Sequence, residues 1–260
     1  MKRSAVVVLF LVLILAFPLA GGPGPQGPAK KKVPCKASLA ECPDEGCGTD
    51  FDANLNRRKN IRSDDQAATV RTLAWMRKLD DPENFQEGDT REELAALGEG
   101  QKITVAAYLL VARPQPDGES CNCGLKTPAE TDNHLVLVTR TTVNKFPMPA
   151  DSHDKPANQA AFHSRELRSF TAEFTPRVRL EHPNFTREKM QPLVNATPKK
   201  ALLVRVTGLL LFDSEHFLNN HLVRVNNWEI HPVLKMEFCT TGETCKANSD
   251  EGWKSIEDAA

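Results

Sequence analysis

Tyrosine occurs once, at position 108, and aromatic residues make up only 6% of the 260-residue chain. That scarcity counts against a platform for single-stranded nucleic acid, which stacks bases on exposed rings. Phe170 and Phe174 fall at core-like positions. No Gly-x-Ser-x-Gly sequence occurs, so the nucleophile elbow of the α/β-hydrolases is excluded. The glycines of 21–27 precede every predicted element and do not join a strand to a helix, as a phosphate-binding loop must. Two histidines one helical turn apart, a tight zinc signature, are missing. So is the two-residue cysteine spacing of zinc knuckles, because Asn122 alone separates Cys121 from Cys123. No apolar run reaches the roughly 20 residues of a membrane-spanning helix. The longest, Ala5–Phe17, has 13. No internal repeat is visible. Positive charge is not in surplus either: 33 Lys and Arg face 34 Asp and Glu. The balance therefore supplies no general basic surface for phosphates, and nucleic acid is not supported as a partner by net charge.

What is present begins with Lys2 and Arg3, the apolar run, and then Pro18 to Gly22. This order reads as a secretory signal peptide over residues 1–22, in preference to a membrane anchor. The expectation is an exported protein, periplasmic or extracellular, with no transmembrane span in the mature chain. Without Lys2 and Arg3 the 33 basic residues become 31 against 34 acidic ones, a charge near −3. Residues 23–50 read as a Gly/Pro-rich tether and a cysteine-bearing loop. Export permits disulfides. The cysteines are Cys35, Cys42, Cys47, Cys121, Cys123, Cys239 and Cys245, which suits three bonds and one free thiol in a pairing that spacing does not define. Cys239 and Cys245 are placed to close a small loop. Disulfides rank ahead of a zinc site at Cys121 and Cys123.

Residues 51–98 form a predicted helical lead-in. Asp52 is placed to cap a helix over Ala53–Ile61, and Asp64–Asp65 a second over Gln66–Leu79. A third, Thr90–Leu97, should stop at Gly98. Residues 99–240 then turn to strands: Lys102–Arg113, His134–Arg140, Phe170–Thr175, Ala201–Phe212 and Trp228–Phe238. A helix over Thr186–Gln191, ended by Pro192, separates the third from the fourth. The fourth carries Gly208, where a bulge or bend is expected. A helical insertion occupies 141–169, and 241–260 is a tail. This order predicts a mainly β, α+β protein: a five-stranded OB-like Greek-key barrel, with a helix between its third and fourth strands and a helical N-terminal lead-in. An antiparallel sandwich is the competing architecture. In the last strand, period two puts Trp228, Ile230 and Pro232 on one face and Glu229, His231 and Val233 on the other.

Polar groupings recur at strand ends: Glu119 to Cys123 with Asp132 and His134, then Glu173 with Arg177, Asp213 with His216, and Glu229 with His231. Singly, each has an ordinary reading as a turn, an ion pair or a satisfied core histidine. Together Asp132, His134, Glu173, Arg177, Asp213, His216, Glu229 and His231 form a candidate binding set. Imidazole with carboxylate is the usual donor set for a divalent metal such as zinc, and His134, Glu173, His216 and His231 are its candidate ligands. Strand order would bring them to a barrel rim or into the lumen, with Arg177 holding a phosphate or carboxylate.

The series ESCNC (119–123), DNH (132–134), EFTPR (173–177), VTGLLLFDSEH (206–216) and WEIHPV (228–233) resembles a family of uncharacterised exported bacterial proteins with a nucleic-acid-binding-type barrel. The resemblance covers roughly residues 100–238 and implies the barrel, without a substrate. A looser likeness is to thermonuclease, a secreted enzyme on the same barrel, whose calcium-site residues have no position-by-position match here. Three functions from different classes follow. First comes a binding module of unknown ligand, nucleic acid or another extended polymer. Second is a metal-dependent hydrolase of nuclease or phosphodiesterase type. Third is a structural, envelope-associated domain.

Overall fold

Five segments with an apolar face at period two each find two strand neighbours, and the sheet closes on itself. The computed structural model describes residues 33–36, 38–86, 88–115, 117–148, 156–216 and 224–259, with backbone alone at 156, 157 and 216. The expected signal peptide and the tether as far as residue 32 lie outside the described residues. All described residues belong to one unit, 31–260. Among them no helix is long and apolar enough to cross a membrane.

Asp52 starts α1 (Ala53–Lys59): its Oδ1 accepts the N–H groups of Asn54 and Leu55, each at 2.9 Å, as an N-cap does. The helix expected over Gln66–Leu79 is mostly absent. Asp64 accepts the Gln66 N–H at 2.8 Å in a local turn. Thr69–Arg71 (β1) then pairs in parallel with Ile103–Val105, so strand pairing takes the backbone bonds a helix would have used. Only α2 (Leu73–Met76) is helical, capped by Thr72 Oγ1. Helix α3 (Glu92–Leu97) stops at Gly98, whose φ of 118° suits glycine.

The barrel strands are β2 (Lys102–Pro114), β3 (Asn133–Val138), β4 (Phe170–Phe174), β5 (Leu202–Phe212) and β6 (Trp228–Cys239). Strand β2 pairs antiparallel with β3, and β3 with β4. Strand β4 runs parallel to β6, β6 antiparallel to β5, and β5 antiparallel to β2, which closes a mixed barrel. A seventh strand, β7 (Trp253–Ser255), extends the sheet from the end of β6. Helices α4 (Arg140–Lys145) and α5 (Pro156–Glu166) lie between β3 and β4; α6 (Pro176–Arg179) and α7 (Arg187–Ala196) follow β4. Helix α7 runs through Pro192, where a stop was expected. Met190 and Val194, one turn apart, both enter the core. Their burial offsets an interior proline's cost of about 3 kcal/mol.

The lumen is filled by apolar side chains, among them Val105, Leu135, Phe170, Phe174, Val206, Phe212, Trp228 and Ile230. The fourth strand does bend at Gly208, where register shifts on both sides. A Cβ there would stand 2.3 Å from the Pro232 carbonyl oxygen. This irregularity also corrects the reading of β6. Val233, expected on the face of Glu229 and His231, joins Trp228 and Ile230 in the core.

Three disulfides form, Cys35–Cys47, Cys42–Cys123 and Cys239–Cys245, while Cys121 is a buried free thiol. The last bond closes the expected small loop. Cys121 is thus not a disulfide partner, and no zinc pair of Cys121 with Cys123 exists because Cys123 is bonded to Cys42.

Candidate metal centre

Residues that alternate with the core positions of β3, β4 and β6 project from the outer wall of the barrel. His134 is the direct ladder partner of Glu173. The pairing of Ala172 with Ile230 sets Glu173 beside Glu229 and His231. These groups therefore meet outside the wall and not in the lumen. The loop from β2 to β3 covers them with Glu119, Cys121 and Asp132. Helix α1 adds Lys59, whose Nζ lies 3.4 Å from Glu215 and 3.9 Å from Glu119.

His134 Nε2 lies 2.9 Å from Glu173 Oε2. His231 Nε2 lies 3.4 Å from Asp132 Oδ2, and its Nδ1 lies 3.1 Å from Glu229 Oε1 and 3.6 Å from Glu173 Oε2. Two of these contacts are close without being aligned as hydrogen bonds. Asp132 Oδ2, His134 Nε2, Glu173 Oε2 and His231 Nε2 are all buried atoms with no hydrogen-bond partner among the described residues. The remaining atoms of two of them are held. Asn122 Nδ2 donates to Asp132 Oδ1 at 2.7 Å. Glu229 holds His231 Nδ1 while its other oxygen accepts from Arg224 Nη1 at 2.7 Å. Arg224 also grips Asp213.

Electrostatics explain the protonation. Burial first, then Glu119, raises Asp132 to about 6. Burial first, then the charge of Glu229, raises Glu173 well above the usual carboxylate range. Burial also lowers His134. Burial opposes charge on His231 too, but Glu229, Glu173 and Asp132 together outweigh it and raise its pKa. Glu119 moves the other way, to about 2, because Lys59 and the two histidines overcome its burial. Glu229 stays low because Arg224 and His231 prevail over burial and Asp213. An ionised Glu229 requires Nδ1 of His231 to carry a proton, so in the neutral ring Nε2 is the lone-pair nitrogen. The carboxylates outnumber the cations in direct contact with them, which is why Asp132 and Glu173 hold a proton more tightly than ordinary carboxyl groups do.

These are the features of a cation site. Asp132, Glu173 and His231 offer donor atoms within 4.8 Å of one another, and so do Glu119, His134 and Glu173. Donors about 2.1 Å from one ion stand roughly 3.0 to 3.4 Å apart at octahedral or tetrahedral angles. The 2.9 and 3.4 Å approaches match that range. Asp132 and His231 are fully enclosed, while Glu119 and His134 side chains keep 16% and 17% exposure. Glu119 and His134 therefore lie nearest the surface, although His134 Nε2 itself is buried.

The structure brings Asp132, His134, Glu173, Glu229 and His231 together, with Asp213 linked through Arg224. The His216 side chain lies outside the described residues. Arg177 plays a different part. Its buried guanidinium donates to the carbonyls of Cys42 and Pro43 and to Asn60 Oδ1. It ties the cysteine loop to the lead-in and offers no free guanidinium to a phosphate. The sequence grouped Glu119 to Cys123 with Asp132 and His134, but the candidate set left out Glu119, and it did not include Lys59, Asn122 or Arg224. Lys59 had a local signal, since it shares the buried face of α1 with Leu55 one turn earlier. The signal for Glu119 was its place in the polar grouping with Asp132 and His134. Comparison of the chain with models of protein families, with curated proteins and with solved structures found no match.

Proposed function

We propose that this chain is an exported metalloprotein of hydrolytic type, built on an OB-type barrel, which binds a divalent transition-metal ion between Asp132, Glu173 and His231. One observation carries the reading: Asp132, Glu173 and His231 each offer a donor atom within 4.8 Å of the other two, and Asp132 Oδ2, Glu173 Oε2 and His231 Nε2 are buried without hydrogen-bond partners among the described residues. Native proteins leave few such groups, and a missing ion is a standard explanation. The donor set, one imidazole and two carboxylates, suits zinc, iron(II) or manganese. Three protein ligands leave room for water, whose pKa such an ion lowers to about 7.

The strand order supports the OB assignment. Order β2-β3-β4-β6-β5, closed on β2 with α7 before β5, is the arrangement in which the second and third barrel strands and two flanking loops bind ligands. The cluster lies beside that place, on β3, β4 and the neighbouring β6, with Glu119 and Asp132 from the loop that follows β2. Carboxylates line it where a polyanion would need bases and aromatics, which favours a cation over direct nucleic-acid binding. Three disulfides fit export, as does the resemblance to exported bacterial barrel proteins.

The test is elemental analysis of purified chain, stripped by chelator and reloaded with zinc or manganese. At least one equivalent should remain after desalting, and the His231→Ala variant should lose it. A parent protein that retains no stoichiometric metal under loading would sink the proposal.

A further inference from the structure

We infer that the centre is dinuclear, with a second divalent ion held by Glu119, His134 and Glu173, and with Glu173 bridging the two ions. The inference rests on the metal reading above and deepens it. Three donor sets form, and the two that contain a histidine share Glu173: one contains His231 with Asp132, the other His134 with Glu119, while the third joins Glu119 and Asp132 through Cys121. Among the described residues no set within 4.8 Å contains both histidines. Two donors of a single ion stand at most about 4.2 Å apart, twice a bond of about 2.1 Å. One ion therefore cannot use both imidazoles in this geometry, yet His134 Nε2 is as unpartnered as His231 Nε2. A second ion beside Glu119 and His134 satisfies it.

Glu173 is placed for the bridging role. Its side chain is 4% exposed, and its unpartnered Oε2 lies 2.9 Å from Nε2 of His134 and 3.6 Å from Nδ1 of His231, the nitrogen held by Glu229. Carboxylate-bridged ions about 3.5 to 4 Å apart are the arrangement of two-metal hydrolytic sites. The two positions also differ in access. The set with His231 is sealed, whereas the set with His134 includes the two partly exposed side chains. The outer ion is thus the one nearer the protein surface. Cys121 neighbours Glu119 and Asp132, and its thiol donates to Glu119 Oε2 at 3.5 Å. That contact assigns it the orientation of Glu119 in this scheme, and the Cys121→Ala variant tests whether it also serves as a ligand.

Zinc stoichiometry by elemental analysis and manganese(II) loading followed by low-temperature electron paramagnetic resonance decide the matter on the full chain. The parent should hold two equivalents and show the spin coupling of a manganese pair. His134→Ala and the isosteric Glu119→Gln should each hold one, with an uncoupled signal, while Cys121→Ala keeps two. A parent with one equivalent that His134→Ala leaves unchanged would overturn the second site but spare the first. Loss of an ion from Cys121→Ala, with two retained in His134→Ala, would also overturn it. A parent that binds none removes both proposals. Circular dichroism of each variant separates loss of metal from loss of fold.

Discussion

Nδ1 of His231 lies 3.1 Å from Oε1 of Glu229, whose second oxygen receives Arg224 at 2.7 Å. This chain of contacts decides which nitrogen of the buried imidazole is left for a ligand. Metal-binding histidines are commonly oriented in this way by a carboxylate, which also makes the ring a better donor. Glu229→Gln would keep the shape and remove the charge. Its amide can donate to Nδ1 and so move the ring proton to Nε2, which faces Asp132. Metal affinity should fall on the order of 10- to 100-fold, as read by competition with a chromophoric chelator. An unchanged affinity would mean that Glu229 does not orient the ring.

Proton and metal compete for Asp132. Its folded-state pKa is raised from 3.8 to about 6, so the folded protein holds this proton more tightly than the unfolded chain does. For a carboxyl raised in this way, the favourable contribution is present at low pH and is lost as pH rises from about 4 to about 6. The metal-free protein should lose stability across that window, by up to about 3 kcal/mol for this group. Metal affinity should rise over the same interval, because binding displaces the proton. Thermal melts with EDTA and with zinc, from pH 4 to 7, should diverge steadily. Parallel curves would count against Asp132 as a ligand.

Gly208 controls the path of β6 just beyond His231. A methyl group at this position would lie 2.3 Å from the Pro232 oxygen and 2.7 Å from Ile230 Cγ2. Backbone must move to admit it. Gly208→Ala should destabilise the protein by about 1 to 3 kcal/mol, the usual cost of overpacking, and should weaken metal binding by shifting His231. Urea unfolding and the chelator competition measure the two effects separately.

The bond from Cys42 to Cys123 spans 81 positions and holds the loop that carries Glu119 and Cys121. Chain-entropy arguments give a bridge of this length about 4 kcal/mol of stabilisation. Replacing both cysteines by serine should lower stability towards that amount. Because Arg177 still ties the carbonyl of Cys42 to Asn60, the barrel itself should persist. A loss below about 1 kcal/mol would show that this tie already restrains the unfolded chain or the loop.

Local pattern was enough for much of the barrel. Phe170, Ala172 and Phe174 alternate with Thr171 and Glu173, and a pleated backbone turns that alternation directly into two faces. The Asp52 cap, the stop at Gly98 and the bend at Gly208 are equally local, since each follows from what one residue's side chain or missing side chain permits. The same rule separated Glu229 and His231 from Trp228 and Ile230. It failed at Val233, because a register shift against a neighbouring strand resets the alternation, and period two knows nothing of neighbours. It failed at Gln66–Leu79 for a similar reason: Thr69–Arg71 found a partner in β2.

The centre itself was legible only as a set of residue types. That His231 meets Asp132, 99 positions earlier, and that Glu119 and Lys59 join them, follows from barrel closure and from loops held by the Cys42–Cys123 bridge. Spacing along the chain reports the direction of a side chain from its own backbone. Convergence of donors depends on contacts between distant segments, and those exist only once the sheet has closed and the loops are tied across it.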